Sequence, residues 1–147
     1  MSLLFSPITI RDVKFKNRLW ISPMCQYSAD DGVVNAWHMQ WLGSLAVGGH
    51  GLVMTEATAV HPVGRHSLQD AGIWRDDHVA AWAPIVEFAH QHGAVIGMQI
   101  AHAGRKAGTR PPWLGRKELT ADEGGWTSVG PSALPAEHHS DPRPLTK

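Results

Sequence analysis

The chain has 147 residues, of which 43% are hydrophobic and 18% are charged, as in a folded globular protein rather than a disordered one. Thirteen basic residues balance thirteen acidic ones, which disfavours a protein that coats nucleic acid or binds membranes through a basic surface. The single cysteine excludes an intrachain disulfide and a cysteine-based zinc site, and the ten histidines show no spacing that predicts a metal centre.

The sequence also carries no targeting signal that we recognise. No apolar run approaches the roughly 20 residues that span a bilayer, and the first five residues lack the basic start of a secretory signal. Because a lone cysteine fits a reducing compartment, we expect a cytoplasmic protein with neither a membrane nor a nucleic acid as partner.

Short apolar runs predict the strands. Residues 8–10 and 13–15 flank Arg11-Asp12, which predicts a small antiparallel hairpin. The next apolar runs do not alternate with polar residues, which is typical of strands buried on both faces of a parallel sheet. These runs lie at residues 19–21, 52–54 and 95–100.

A first helix is predicted between the first two of these buried runs. Asn35 can cap its start, because an Asn side chain accepts a hydrogen bond from the first helical turn. Gly48-Gly49 ends the helix. Its apolar face is expected to enter the core with residues one helical turn apart, namely Trp37, Trp41 and Leu45.

A second helix is predicted before the last run. Asp76 or Asp77 can cap it, and Gly93 terminates it. Pro84 removes a backbone hydrogen bond, so the helix is expected to start late or to kink there. Its core-facing side is predicted as Val79, Trp82, Ala83 and Val86. The resulting order β-α-β-α-β suits the right-handed crossovers of an α/β fold.

The chain changes character after the third buried run. It becomes rich in Pro and Gly without a sustained period, which predicts loops with one short strand at residues 126–129. Loops this long are expected to cover a site or to reach towards a partner. The predicted organisation is one domain with a hairpin (1–17), a strand and helix segment (18–106) and a loop region (107–147).

Reactive and hydrogen-bonding side chains collect just after the three buried strands. Residues 22–27 follow the first strand, residues 55–58 end the second, and Gln99 and residues 102–106 end the third. Ligands of parallel α/β folds bind at the carboxyl ends of the strands, so a site is predicted at this edge. The glycine-rich fingerprints of dinucleotide-binding and P-loop proteins are missing, which disfavours both classes.

Four residues at this edge have both a structural and a functional interpretation. Cys25 is either an inert buried thiol or a functional residue in the turn after a strand. Tyr27 either packs with its hydroxyl on the backbone or faces a ligand. Gln99 lies in an apolar strand where an unpaired amide is costly, so it needs the backbone or a ligand as partner. Lys106 belongs to a basic turn that solvent alone can satisfy.

Several motifs in this order resemble the Old Yellow Enzyme family of FMN-dependent ene-reductases. The resemblance covers nearly all of residues 4–106 and continues more weakly at residues 131–133 and 144–146. The pairing of Cys25 with Tyr27 resembles the thermophilic-like branch, since yeast-type members carry Thr in place of the Cys. The motifs that carry the resemblance are Leu4 to Ile10, Lys16 to Arg18, Ser22 to Tyr27, Glu56 to Val60, Gly64-Arg65, Gly72 to Trp74 and Gln99 to Lys106.

The resemblance implies an FMN-binding TIM (β/α)8 barrel with an N-terminal hairpin that closes its bottom. This chain would form the α/β fold of that hairpin and the first three β/α units. The flavin would be lined largely by backbone, with the main chain of Ala57 against the ring and the Gln99 amide on the pyrimidine edge. The remaining flavin-lining residues would be Ser22, Pro23, Met24 and Cys25.

The same resemblance implies the chemistry. NADPH (or NADH) would reduce FMN, and a hydride would then pass to the β-carbon of a small enone. Cys25 would act near the flavin O4 and N5 edge and tune the reduction potential. Tyr27 would contact the substrate carbonyl, and Lys106 would lie near the mouth of the site.

The family chain is more than twice as long, so three strands are expected to form an incomplete barrel. We expect the N-terminal part of a split or fragmented enzyme that is active only when a complementary C-terminal chain completes the barrel. Further oligomerisation is common among family members. Two alternatives are an FMN barrel of the dienoyl-CoA reductase or amine dehydrogenase type, and an inactive barrel fragment that acts only as an interaction module.

Overall fold

The computed structural model describes residues 2–146. Within these residues, seven strands and two α-helices alternate with short 3-10 turns. In chain order they are β1 (Ile8–Ile10), β2 (Val13–Phe15), β3 (Trp20–Ile21), α1 (Ala36–Val47), β4 (Leu52–Ala59), α2 (Asp76–Gln91), β5 (Val95–Ala101), β6 (Val129–Gly130) and β7 (Arg143–Pro144).

The predicted hairpin is confirmed, since β1 and β2 pair antiparallel with Ile8 opposite Phe15. The residues that follow it fasten the hairpin to the segments just before β4 and β5. Lys16 Nζ donates to the carbonyl of His92 at 2.8 Å, and Asn17 Nδ2 donates to the carbonyl of Gly49 at 2.7 Å. A Cβ at position 51 would collide with the Asn17 carbonyl oxygen, so only glycine allows this close approach.

The central sheet is parallel, with the strand order β3-β4-β5. All three predicted buried runs lie in it, but β4 continues beyond the predicted Met54 to Ala59, with an irregularity between Met54 and Ala57. The side chains of β4 are mostly buried, whereas none in β5 is. The reason is position, because β4 has a neighbour on both sides and β5 is an edge strand in residues 2–146.

Both helices pack around one core with the sheet. The buried apolar residues of this core come from both helices, from β4 and from the loops between them. They are Ala29, Val34, Leu42, Ala46, Val53, Ala71, Trp82, Ile85, Ala89 and Ala94.

Helix α1 confirms the predicted cap and corrects the predicted face. The Asn35 side chain accepts a hydrogen bond from the Trp37 N–H at 3.0 Å. Trp37 is half exposed, and Trp41 and Leu45 are only partly buried, so the prediction of a tryptophan-lined core face is wrong for Trp37. The fully buried side of the helix lies one position further along the chain, at His38, Leu42, Gly43 and Ala46.

Helix α2 corrects three further predictions. Its N-cap is Arg75, without a side-chain cap, and Asp76 and Asp77 lie in the first turn. The helix starts at Asp76 and contains Pro84, so a late start is wrong. Val79 and Ala83 are exposed. The buried side follows the spacing of a different stripe, which is His78, Trp82, Ile85 and Ala89.

The region after β5 has more structure than predicted. The expected strand at residues 126–129 starts only at Val129, and it pairs in parallel with β7 rather than standing alone. An antiparallel bridge between Thr109 and Glu118 closes the first loop of this region, so that its two ends lie side by side as in a hairpin. No helix among residues 2–146 is both long and apolar enough to cross a bilayer.

Candidate active site

The carboxyl ends of β3, β4 and β5 bring three of the predicted site residues side by side. Ala57 in β4 is in register with Gln99 in β5. On the other side of β4, the backbone of Ala57 lies near the thiol of Cys25, in the turn after β3. Cys25, Ala57 and Gln99 thus form a row across three strands, which we call the strand-end row.

Cys25 is half buried in this row. Burial raises the pKa of its thiol above the ordinary value, and the nearby backbone N–H of Ala57 only partly opposes this effect. The side chain is therefore a neutral thiol at physiological pH rather than a nucleophilic thiolate. It can act as a weak hydrogen-bond donor or as a polarizable contact.

Gln99 differs from its prediction in one respect. Its amide was expected to be buried in an apolar strand, but the residue is exposed, because β5 is an edge strand with an open face. Its backbone N–H donates to Thr55 Oγ1 at 3.2 Å, and that hydroxyl lies 3.2 Å from Thr58 Oγ1. The backbone of Gln99 is thus fixed while its amide is free to meet a ligand.

A buried pair of side chains supports the turn that carries Cys25. Glu56 Oε2 accepts the backbone N–H of Gln26 at 3.0 Å, and Glu56 Oε1 lies 3.2 Å from His38 Nε2. His38 Nδ1 accepts the N–H of Asn35, which places the ring proton on Nε2 and towards Glu56. The geometry between Nε2 and Oε1 is not that of an ideal hydrogen bond, yet neither atom has another partner in residues 2–146.

Sequence reasoning missed His38 and Glu56 as parts of the site. Glu56 is 3% exposed and His38 is 1% exposed, and an ionisable pair this deeply buried must be held by specific partners. A usable signal was present, because His38 stands three residues after the Asn35 cap. That is the position where a side chain reaches back to the cap backbone.

Tyr27 lies outside the strand-end row and lines a separate cavity. Its backbone has a φ of 49°, a left-handed conformation that is uncommon for a tyrosine. The ring meets Trp113 edge to face, with 5.5 Å between the ring centroids. Burial raises the pKa of the hydroxyl, so Tyr27 remains a protonated donor at neutral pH.

The cavity beside Tyr27 has a volume of about 160 Å³, and Lys106 also lines it. The structure thus brings together the two residues that were predicted to contact substrate. Cys25 does not line this cavity, although only Gln26 separates it from Tyr27 in the chain. The remaining predicted residues, Ser22, Pro23 and Met24, form the start of the same turn, and Ser22 and Met24 are exposed.

The strand-end row fits the edge of a flat, hydrogen-bonding cofactor. Gln99 offers an exposed amide, Ala57 offers a buried backbone, and the exposed turn at residues 22–24 offers main chain at one open edge of the sheet. Within residues 2–146, no group of three or more His, Cys, Asp or Glu side chains is placed to hold a metal ion.

Comparison with known proteins identifies the class to which this fold and site belong. A family model described as "NADH:flavin oxidoreductase / NADH oxidase family" matches residues 3–140. An NADH:flavin oxidoreductase of Gibberella zeae is 46% identical over 144 residues, which cover 96% of this chain and 35% of that protein. An NADPH dehydrogenase of Bacillus subtilis is 44% identical over 132 residues, which cover 88% of this chain and 39% of that protein.

Comparison with solved structures gives the same class of protein. Morphinone reductase superposes with a TM-score of 0.80 at 28% identity, covering 97% of this chain and 39% of that one. The Old Yellow Enzyme of a Pichia species superposes with a TM-score of 0.74 at 32% identity, covering 90% of this chain and 32% of that one.

These neighbours are TIM-barrel flavoproteins, and the hairpin with its three-stranded sheet is a part of such a barrel. The chain belongs to the NADH:flavin oxidoreductase family of Old Yellow Enzyme type. It spans only 35% and 39% of the length of the two curated relatives described above.

Proposed function

We propose that this chain is the N-terminal part of an FMN-dependent oxidoreductase that reduces the C=C bond of α,β-unsaturated carbonyl compounds with NAD(P)H. The observation that carries the proposal is the strand-end row of Cys25, Ala57 and Gln99, with the Tyr27 hydroxyl in the cavity next to it. Family membership supports flavin chemistry at this edge of the sheet.

Each part of the strand-end row has a role towards the flavin. Residues 22–25 and Ala57 would hold the ring through main chain, and the exposed Gln99 amide would bond its pyrimidine edge. The chemistry that FMN supplies when bound is hydride transfer from NADPH or NADH to the β-carbon of the substrate. The neutral thiol of Cys25, close to that ring, would influence the reduction potential.

Tyr27 would act on the substrate. As a protonated donor it would hydrogen-bond the carbonyl oxygen, which draws electron density away from the β-carbon and stabilises charge that develops on the oxygen. In the net reaction, a hydride is added to the β-carbon and a proton to the α-carbon. NAD(P)H is oxidised to NAD(P)⁺, and the carbonyl is retained.

We further propose that a complementary C-terminal polypeptide completes the barrel at β5. Ile100 in this edge strand is 69% exposed, and an apolar groove of about 550 Å³ runs between α2 and β5. Unpaired strand edges of this kind recruit another strand. Apolar side chains of both elements line the groove and would pack against the added chain, among them Val79, Trp82, Val86 and Met98.

A second candidate function has its own support. The structure of a 2-naphthoyl-CoA reductase superposes with a TM-score of 0.81 at 26% identity, covering 98% of this chain and 22% of that one. The same partial barrel therefore also suits a larger reductase that acts on CoA thioesters. A requirement of the complete protein for a CoA thioester substrate would favour this candidate.

The test is turnover by the FMN-loaded complete protein with NADPH and cyclohexenone. Tyr27→Phe keeps the ring against Trp113 and removes only the hydroxyl, so we expect kcat/KM to fall by about 100-fold, as for the loss of one donor to a developing oxyanion. No enone-dependent oxidation of NADPH or NADH in the flavin-loaded protein would contradict the proposal. A complete protein that binds no flavin would instead favour the interaction module.

A further inference from the structure

The cavity beside Tyr27 is chemically one-sided. None of its lining side chains is acidic, and each carries a cation, a hydroxyl or an imidazole. They are Tyr27, His66, Lys106, Thr109, Arg116 and His139. A volume of about 160 Å³ holds a carboxylate or a phosphate with a few waters, since one water takes about 30 Å³ in the liquid.

The charged groups at this cavity lack partners within residues 2–146. Lys106 and Arg116 make no ion pair and no side-chain hydrogen bond there, whereas Arg65 and Arg75 both pair with Asp31. Nδ1 of His139 donates to the Glu137 carbonyl at 2.8 Å, so its buried Nε2 is an acceptor, and it has no hydrogen-bond partner among these residues. The two cations left without partners around one small space attract an anion.

His66 is oriented towards this space by a buried carboxylate. Its Nδ1 lies 3.0 Å from Asp70 Oδ2, and Asp70 is only 1% exposed. The carboxylate of Asp70 is fixed in turn by Ser67, whose hydroxyl donates to Oδ1 at 2.9 Å. Because the Asp70 carboxylate accepts from Nδ1, Nε2 of the neutral ring remains as an acceptor, which a water beside the ligand can satisfy.

Hydrogen bonds fix the conformation of the loop that carries Arg116. The bridge between Thr109 and Glu118 closes it, and the Arg110 N–H donates to the Lys117 carbonyl at 2.8 Å. Glu118 Oε2 also accepts the backbone N–H and the hydroxyl of Ser140 at 2.9 Å and 2.7 Å. These bonds hold Arg116 and the neighbouring His139 on the same side of Tyr27.

We propose that this cavity binds the anionic group, a carboxylate or a phosphate, of a molecule that reacts at the neighbouring flavin site. Lys106 and Arg116 supply the charge and the donated hydrogen bonds, while the Tyr27 hydroxyl stays with the substrate carbonyl and Nε2 of His66 accepts from a water beside the anion. The inference rests on the proposed function for its location. It adds a preference for anionic reactants, which the strand-end row does not supply. Two molecules carry such a group. One is an enone with a carboxylate, and the other is NADPH, through the 2′-phosphate that NADH lacks.

The test compares cyclohexenone with the same ring carrying a carboxylate, using the FMN-loaded complete protein. Arg116→Gln and Lys106→Gln remove one exposed cation each. We expect each to lower the ratio of kcat/KM for the charged enone to kcat/KM for the neutral enone by about 10-fold, as for the loss of one charge-assisted hydrogen bond. Lys117→Gln is the matched control, because it removes a cation from the same loop outside the cavity and should leave both values unchanged.

A second arm separates the two molecules. If the phosphate of NADPH is the anion, Arg116→Gln will slow flavin reduction by NADPH about 10-fold relative to NADH, with no change in the ratio for the enones. Equal behaviour of Arg116→Gln, Lys106→Gln and Lys117→Gln in both arms would overturn the inference.

Binding keeps this outcome separate from a failure of the proposed function. If the protein reduces no enone, calorimetric titration with benzoate, as a carboxylate without a reducible bond, still reports on the cavity. We then expect binding by the wild-type protein that weakens about 10-fold in Arg116→Gln. No binding, or equal binding by Arg116→Gln and Lys117→Gln, would overturn the inference.

Discussion

Cys25 and Tyr27 share a short turn, and their environments act on both groups in the same direction. Burial is the main cause that raises the pKa of the thiol and of the hydroxyl. The nearby charge of Arg116 opposes this effect in both cases but does not outweigh it. Two neutral donors therefore stand at the carboxyl ends of the strands, where a flavin and its substrate would need them.

This environment predicts the pH dependence of Cys25 alkylation. A raised pKa means that the thiolate forms only at higher pH, so the alkylation rate in the native protein should reach its midpoint above pH about 8.5, the value of a free cysteine. Iodoacetamide labelling followed by mass spectrometry of the Cys25 peptide measures this profile. The same protein unfolded in urea is the control and should return to the ordinary midpoint. A native midpoint at or below the unfolded one would contradict the assignment.

The buried pair of His38 and Glu56 holds the turn that carries Cys25 and Tyr27. In His38→Leu one oxygen of the buried Glu56 carboxylate would lose its neighbour, which costs about 1–3 kcal/mol in the free energy of unfolding. His38→Gln can still accept from Asn35 and donate to Glu56, so we expect most of the stability to return. Urea denaturation of the complete protein measures both.

A second readout distinguishes positioning of the turn from simple stability. His78 is as buried as His38 and also accepts a backbone N–H near a helix start, but it lies against Asp31 rather than Glu56. We expect His38→Leu to change the alkylation rate of Cys25 in the folded protein and His78→Leu to leave it unchanged. Equal rates in both variants would mean that the buried pair is structural only.

At the scale of elements, the start of α1 has the clearest local cause. Asn35 accepts from the Trp37 N–H, and its own amide donates to the Ser28 carbonyl at 2.6 Å, so one side chain joins the helix to the loop before it. Helix α2 lacks such a cap and relies on Asp76 and Asp77 in its first turn, where negative charge favours a helix N-terminus.

Asn35→Ala therefore tests the cap. We expect the free energy of unfolding to fall by about 1 kcal/mol, the usual cost of losing such a residue. Asn35→Ser should recover much of that loss, since a serine hydroxyl can still accept from the helix. Urea denaturation curves of the two variants in the complete protein measure the difference, and equal midpoints for Asn35→Ala and the wild type would contradict it.

At the scale of the whole molecule, the unpaired edge of β5 is the feature that most affects association. It is paired on one side only within residues 2–146, and its outer face carries the exposed Ile100. Such an edge stabilises a barrel when a further strand joins it and promotes association when none does.

Residues 1–147 expressed alone test this property. We expect self-association and no cooperative melting as a monomer, measured by light scattering and circular dichroism. Ile100→Lys should reduce the association by placing a charge on the open strand edge. Val47→Lys is the matched control, since Val47 is also exposed at 59% but lies at the end of α1. A soluble monomer that melts cooperatively would contradict the need for added strands.

Local patterns in the sequence predicted the elements well and their orientation less well. Apolar runs located the hairpin and the three parallel strands, and Asn35 was recognised as a cap. The tryptophan spacing predicts the wrong buried face of α1, because Trp37 donates to Gln26 Oε1 at the surface and does not enter the core. Apolar character states what a side chain tolerates, and only packing decides which side of a helix meets the sheet.

The candidate site divides in the same way. Chain order and family resemblance predict its location at the strand ends and its residues, from Cys25 to Lys106. They do not predict the burial of Glu56 against His38, the exposure of the Gln99 amide or the one-sided cavity around Tyr27.

The sequence by itself determined the class of fold, the order of the elements and the edge of the sheet where polar and reactive side chains collect, because strand periodicity and turn residues are local properties. Only the tertiary structure decided which polar groups meet. His38 and Glu56 are 18 residues apart in the chain, and Tyr27 and Arg116 are 89 apart, yet each pair shares one site. Contacts over such distances depend on how the helices and loops pack, and no local pattern records that packing.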